Sequence, residues 1–345
     1  MGAAYTSVQW NRQKKIYDFV LAGGVAVFLV VFGLLTKICF PFITDEILII
    51  RTSGVAAFVL LHIILCIGPL CRLNPKFLPL LYNRRHAGVT MFLLALIHAV
   101  MVVATYHAGG DTNPLLGIFV SSPLTGSVAG VPFQPFGFFA LLILFLMAAT
   151  SHDFWLANLS APVWKSLHML VYAAYALLVL HVTFGALQGE ASPVYVSAMA
   201  IGFLTVLTLH LMAARKEIPI DRELTGQIAD DFVDACAVAG IPENRARIVC
   251  VAGERVAIFK HDGKISAVSN VCQHQNGPLG EGKIVSGCIT CPWHGYQYVP
   301  ETGASPPPFV EKVPTFNVRV KDGRVFVHTK PNPAGTKVEP ALIEK

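Results

Sequence analysis

The chain has 345 residues, enough for two domains, and is 54% hydrophobic but only 14% charged, too few charges for a purely soluble protein. The net charge of +5 is small, and its basic residues flank apolar segments rather than forming a stripe, which excludes nucleic-acid binding. Eight cysteines scattered along so long a chain exclude the disulfide framework of a small secreted domain.

In chain order, the first fifteen residues are polar and end in Arg12, Lys14 and Lys15, and no cleavable signal peptide is expected there. Met1-Gly2 with Thr6 matches a myristoylation pattern, but an acyl anchor adds little to a chain that already spans a membrane. Six apolar segments follow, at about 16–37, 52–71, 87–107, 132–151, 164–187 and 193–214, each near the roughly 20 residues that cross a bilayer. They predict an all-α six-helix transmembrane bundle. Pro132 and Pro135 open the fourth segment and Pro193 the sixth, where proline is tolerated.

Basic residues orient the bundle. The N-terminus, the 72–85 loop (Arg72, Lys76, Arg84, Arg85), Lys165 and the Arg215-Lys216 exit are positive, whereas 108–131 and 188–192 contain no Lys or Arg. Lys37 and Arg51 run against this pattern. Positive-inside reasoning predicts both termini in the cytoplasm, with a bacterial inner membrane as the expected location.

Ionisable side chains at membrane depth are functional candidates. His86 and His98 fall on the third segment, and His168 and His181 on the fifth, a parallel span. His86 and His168 are expected at one level, His98 and His181 at a second, roughly 18–20 Å away at 1.5 Å per residue. Two levels of paired imidazoles suit one or two haems with histidine axial ligands. Separations of 12 and 13 residues do not keep one helix face, so sharing a cleft requires tilt or a helix irregularity. His62 and His210 are read instead as hydrogen-bonded to a carbonyl or a neighbouring helix, and His107 and His152 as interface residues.

Arg84-Arg85-His86-Ala87-Gly88-Val89 with Leu96-Ile97-His98, and Trp164-Lys165-Ser166-Leu167-His168 with Leu180-His181, resemble the two histidine helices of ferric-reductase-like transmembrane domains. The resemblance covers roughly 50–210 and implies b-type haem on the histidines of spans three and five. Ala87 and Val89 stand where leucines are usual, and His86 where another apolar residue is common. Arg84 and Arg85 are candidate partners of haem propionates, or ordinary positive-inside anchors.

Beyond a charged linker the pattern changes to period two. Arg255–Phe259, Asp262-Gly263 and Lys264–Val268 predict a hairpin, and Asn317–Val320, Asp322-Gly323 and Arg324–Val327 a second. The expected domains are 1–214 in the membrane, a linker at 215–228, an all-β domain at 229–330 and a proline-containing tail at 331–345. Cys272-Gln273-His274 and Cys291-Pro292-Trp293-His294 supply two thiols and two imidazoles. A Rieske [2Fe–2S] cluster needs that set, and zinc also accepts it. Cys288, three before Cys291, is read as a small buried thiol beside the metal site, against a CxxC pair.

The run CQH…CPWHGYQY…TG…SPPP resembles the ferredoxin-like Rieske domains of ring-hydroxylating oxygenase systems over about 230–330. The resemblance implies Cys272 and Cys291 on one iron and His274 and His294 on the other. Gly277 and Trp293 stand where Rieske proteins of respiratory bc complexes carry an extra cysteine pair, and Tyr296 where they carry a serine. That difference predicts a low-potential cluster. No GxGxxG after a strand and no Walker-type loop is present, so a separate cytoplasmic reductase or ferredoxin, or a quinone, is the expected partner. The function expected is membrane electron transfer. The alternatives are a membrane-anchored ferredoxin serving an oxygenase and a subunit of a metal-ion reductase.

Overall fold

A computed structural model describes residues 12–81, 83–120, 132–159, 161–189, 192–222, 224, 227–228, 230–274, 276–293 and 295–343. The chain divides into two compact units, one of residues 12–68 with 83–210, the other of 69–82 with 211–345.

The first unit is helical. Its main elements are α1 (Arg12–Cys39), α2 (Asp45–Leu73), α3 (Arg84–Tyr106), α4 (Pro114–Val120), α5 (Gln134–Ala149), α6 (Asp153–Asn158), α7 (Ala161–Met169), α8 (Val171–Phe184), α9 (Ala186–Gly189) and α10 (Pro193–Glu217). The long helices α1, α2, α3 and α10 are apolar around most of their circumference, the pattern of segments whose outer face meets lipid. Phe19, Ile38, Val100 and Ile201 lie on the outside, while Leu61, Ala140, Leu144 and Ala174 are buried. Small residues such as Ala140 on α5 and Ala174 on α8 let the two backbones approach.

Among the described residues, five stretches are long and apolar enough to cross a bilayer: Lys14–Cys39, Asp45–Leu73, Arg84–Tyr106, Val163–Gly189 and Pro193–Glu217. The segment expected as the fourth span forms the 16-residue α5. At 1.5 Å per residue it reaches about 24 Å, short of the ~30 Å hydrocarbon core. A second departure separates α7 from α8: the Leu170 N–H bonds Leu167 O three residues back (3.2 Å), so the helical ladder is interrupted between His168 and His181. α3 carries no such break between His86 and His98.

The second unit is mainly β. Its strands are β1 (Gln227–Ile228), β2 (Phe232–Ala237), β3 (Arg245–Val251), β4 (Glu254–His261), β5 (Lys264–Ser269), β6 (Lys283–Val285), β7 (Cys288–Thr290), β8 (Gln297–Tyr298), β9 (Thr315–Phe316), β10 (Val318–Lys321), β11 (Arg324–His328) and β12 (Ala341–Leu342). They form sheets in the orders β1-β2-β11-β10, β12-β5-β4-β3 with β9 on β5, and β6-β7-β8. Both expected hairpins are present, and each turn places two residues at positive φ: Asp262 and Gly263, Asp322 and Gly323. That geometry matches the twist of the flanking strands. Val256, Ile258, Ile265, Phe316, Val325 and Val327 build a core from the two larger sheets.

Two expected boundaries shift. α10 runs to Glu217, and β1 lies inside the expected linker. The expected tail is integrated: Ala341 and Leu342 pair with Ile265 and Lys264, and the Val338 N–H bonds Glu301 O at 2.7 Å.

Candidate metal centres

The two Cys-His loops share one backbone design. The Cys272 N–H bonds Gly277 O (2.9 Å), and the Asn276 N–H returns to Cys272 O (2.7 Å). In the second loop the Cys291 N–H bonds Tyr296 O (2.8 Å), and the Gly295 N–H returns to Cys291 O (3.0 Å). The residue four after each cysteine, Asn276 or Gly295, has positive φ, so each loop folds back sharply on its thiol. Both cysteines are buried in one cluster with Leu279, Ile289, Tyr296 and Tyr298. A Cβ on Gly277 would lie 2.8 Å from Cys291 Sγ, so the close approach of the loops depends on glycine there.

No disulfide joins the described cysteines. Two buried thiols of one cluster, on loops that come into contact at Gly277 and Cys291, supply with His274 a donor set that fits a [2Fe–2S] group. His294, the fourth expected ligand, lies outside the described residues. Tyr298 OH accepts the Gln273 N–H (3.0 Å), which leaves its own proton to donate to Cys272 Sγ (3.3 Å). Burial first, and then the neighbouring Cys272, push the Tyr298 hydroxyl far above its ordinary pKa, so it stays a donor. Tyr296 differs: its ring stacks on His274 with centroids 5.0 Å apart, and its OH donates to the Glu311 carboxylate. Cys288 sits on β7, partly buried, with its thiol pKa raised by burial.

In the helical unit the structure brings His98 and His181 together. Their ring centroids are 6.3 Å apart and the planes cross at 86°. His98 Nδ1 lies 2.9 Å from Ile50 O, and His181 Nδ1 lies 3.0 Å from Phe133 O. A carbonyl accepts only, so both rings carry the proton on Nδ1 and present an unprotonated Nε2, the ligating form. An imidazole nitrogen sits about 2 Å from a first-row metal and the ring centre roughly 1.1 Å further back, so two imidazoles across one iron have centres about 6 Å apart. The pair fits one bis-histidine haem.

The other expected pair has different neighbours. His86 Nδ1 lies 2.9 Å from both carboxylate oxygens of Asp18 on α1 and 3.0 Å from Asn83. His168 stacks under Trp164 at 3.7 Å, with Nδ1 on Trp164 O (2.9 Å) and Nε2 3.4 Å from Ser151 Oγ. Asp18 and Trp164 thus anchor the two rings, contacts that sequence reading did not anticipate. Arg85 donates to Ser151 O (3.1 Å), just beyond the C-terminal end of α5, where a cation is favoured without any ligand. Arg84 lies at the start of α3, near Gly68.

His62 and His210 make the bonds expected of hydrogen-bonded helix residues. Each directs Nδ1 to the carbonyl four residues back, Phe58 O or Val206 O, and each Nε2 meets a tyrosine hydroxyl, Tyr175 (3.0 Å) or Tyr172 (3.1 Å).

Comparison with known proteins follows this division. Residues 53–179 match the ferric reductase like transmembrane component, and residues 231–317 match the Rieske [2Fe-2S] domain. The ferredoxin component of the alkene monooxygenase system of Xanthobacter autotrophicus is 31% identical, over 30% of this chain and 85% of its own length. The 3-phenylpropionate/cinnamic acid dioxygenase ferredoxin subunit of Photorhabdus laumondii is 32% identical, over 27% of this chain and 89% of its own. The naphthalene 1,2-dioxygenase ferredoxin component of Pseudomonas aeruginosa is 29% identical, over 29% and 97%. The chain is a membrane protein that belongs, through its C-terminal domain, to the Rieske [2Fe–2S] family and carries that domain on a ferric-reductase-like transmembrane component.

Proposed function

We propose that the chain is a membrane electron-transfer protein. It would connect a soluble redox partner, a cytoplasmic reductase or ferredoxin, to a quinone or an outer-side acceptor. Cys272, Cys291, His274 and His294 would hold the [2Fe–2S] cluster, and His98 and His181 a haem b, the two groups supplying one-electron chemistry when bound. The carrying observation is the His98–His181 pair, whose spacing and tautomers fit two ligands of one iron. His86 and His168 are the proposed ligands of a second haem, since each has Nδ1 occupied, His168 by a carbonyl and His86 by a carboxylate. Arg84 and Arg85 are the proposed propionate partners. Tethering the two sites on one chain raises their effective concentration for each other.

The proposed topology has six spans, with α5 extended by its flanks, both termini in the cytoplasm and a bacterial inner membrane as location. Positive residues at 72–85, 165 and 215–216 support it. The proposed domain limits follow the elements: a membrane domain to Glu217, a short linker, and a β domain from Gln227 that includes the paired strand at Ala341–Leu342. The lipid-facing helix surfaces support a membrane environment.

The relatives favour a second reading, in which the spans only anchor a ferredoxin that serves an oxygenase. A metal-ion reductase subunit is a third, supported by the transmembrane family alone. A pyridine haemochrome assay with iron and sulfide analysis on purified protein separates the first two. One haem or more per chain supports electron transfer, and cluster without haem supports the anchored ferredoxin.

A further inference from the structure

His98 and His181 are held by the same device on two different helices. His98 Nδ1 meets Ile50 O, and Gly54, one turn along α2, faces the same ring: a Cβ there would lie 2.7 Å from Nδ1 and 3.0 Å from Cε1. His181 Nδ1 meets Phe133 O, and a Cβ on Gly137, again four residues on, would lie 2.8 Å from both Nδ1 and Cε1. The coincidence has a geometric cause. A helical Cβ leans toward the N-terminus and overhangs the preceding turn, so the side chain at i+4 shields the outer side of carbonyl i. A glycine at i+4 uncovers that carbonyl and leaves a notch as thick as an imidazole.

From this we infer that Gly54 and Gly137 are positioning residues, each cutting a slot that fixes one axial imidazole in rotation as well as in place. The two slots hold the ligand planes at right angles. The inference rests on the reading of His98 and His181 as axial ligands. Its consequence is electronic. Each imidazole donates π density into the iron d orbital perpendicular to its own ring. Parallel rings raise one orbital of the pair and split it, whereas perpendicular rings raise both and leave them nearly degenerate. Near-degeneracy gives ferric low-spin iron a strongly anisotropic EPR signal.

The test is EPR of the oxidised full-length protein, with haemochrome quantification, for wild type and for Gly54→Ala, Gly137→Ala and Gly202→Ala. Gly202 is the control: a Cβ there would lie 2.9 Å from Nε2 of His62, the same steric insult to a histidine whose ring nitrogens already meet Phe58 O and Tyr175 OH. The expected result is a strongly anisotropic low-spin signal in wild type and Gly202→Ala. In Gly54→Ala and Gly137→Ala it is replaced by a rhombic low-spin or a high-spin signal. A wild-type spectrum with no strongly anisotropic low-spin component overturns the inference even if no variant accumulates, and so do Gly54→Ala and Gly137→Ala spectra identical to wild type. Wild-type protein without haem overturns the axial-ligand reading, and the slots fall with it.

Discussion

Tyr298 and Tyr296 stand two positions apart and are used differently. Tyr298 donates to Cys272 Sγ, and Tyr296 gives its proton to Glu311. A hydrogen bond to sulfur favours the reduced, more negative cluster. Tyr298→Phe is therefore expected to keep the cluster and lower its potential by about 1–2 kcal/mol, roughly 40–90 mV for one electron. A spectroelectrochemical titration checks this, and an unchanged potential would contradict the role given to the hydroxyl. The Tyr296 hydroxyl donates to Glu311, and a low potential stays an expectation that the same titration measures. The Cys-His spacing made the cluster loops legible, because ligand type and interval are sequence properties. Glu311 was not legible, since it reaches Tyr296 across a fold that brings two loops together. The tyrosines on His62 and His210 were hidden for the same reason: Tyr175 and Tyr172 lie 113 and 38 residues from the rings they meet.

At the level of elements, the paired loops depend on one position. Gly277→Ala would press a methyl on Cys291 Sγ, whereas the hairpin residue Gly263, also needed for its backbone, has nothing within 4 Å of an added Cβ. Gly277→Ala is expected to lose most of its cluster. Gly263→Ala should keep it and cost only about 1 kcal/mol of strain. Iron per polypeptide and a thermal melt measure the two effects. A second element-level device is Arg255 on β4, which donates to both Asp221 oxygens (2.6 and 2.8 Å) and to Glu217 (2.6 Å) at the end of α10. Hydrogen bonding to Arg255 holds the Asp221 carboxyl below its ordinary value. A depressed acid contributes above its unfolded pKa, about 4, and that contribution is lost as pH falls through the lower folded value. Arg255→Ala at neutral pH, or wild type in acid, is thus expected to be cut faster by a protease near Arg222. An equal rate in the variant would count against the clamp. Asp-Gly dipeptides announced two hairpins, but the break at Leu170 contains neither proline nor glycine, and the prolines of 331–340 masked the short strand behind them.

For the whole molecule, composition announced an apolar half and a β half. The lengths of apolar runs overstated α5, because hydropathy does not mark where a helix stops. The topology rests on charge, so it is tested by charge-independent reporters. A fluorescent protein fused after Lys345 should fluoresce, and an alkaline phosphatase fused there should be inactive. The reverse pattern would invert the orientation. Several histidines lie in these helices, yet their ring nitrogens are not equivalently engaged. Tyr175 and Tyr172 occupy the Nε2 of His62 and His210, whereas His98 and His181 direct Nδ1 to the carbonyls of Ile50 and Phe133. On the proposed haem reading, each of the two tyrosines would keep one further imidazole of the helical unit out of competition for the iron.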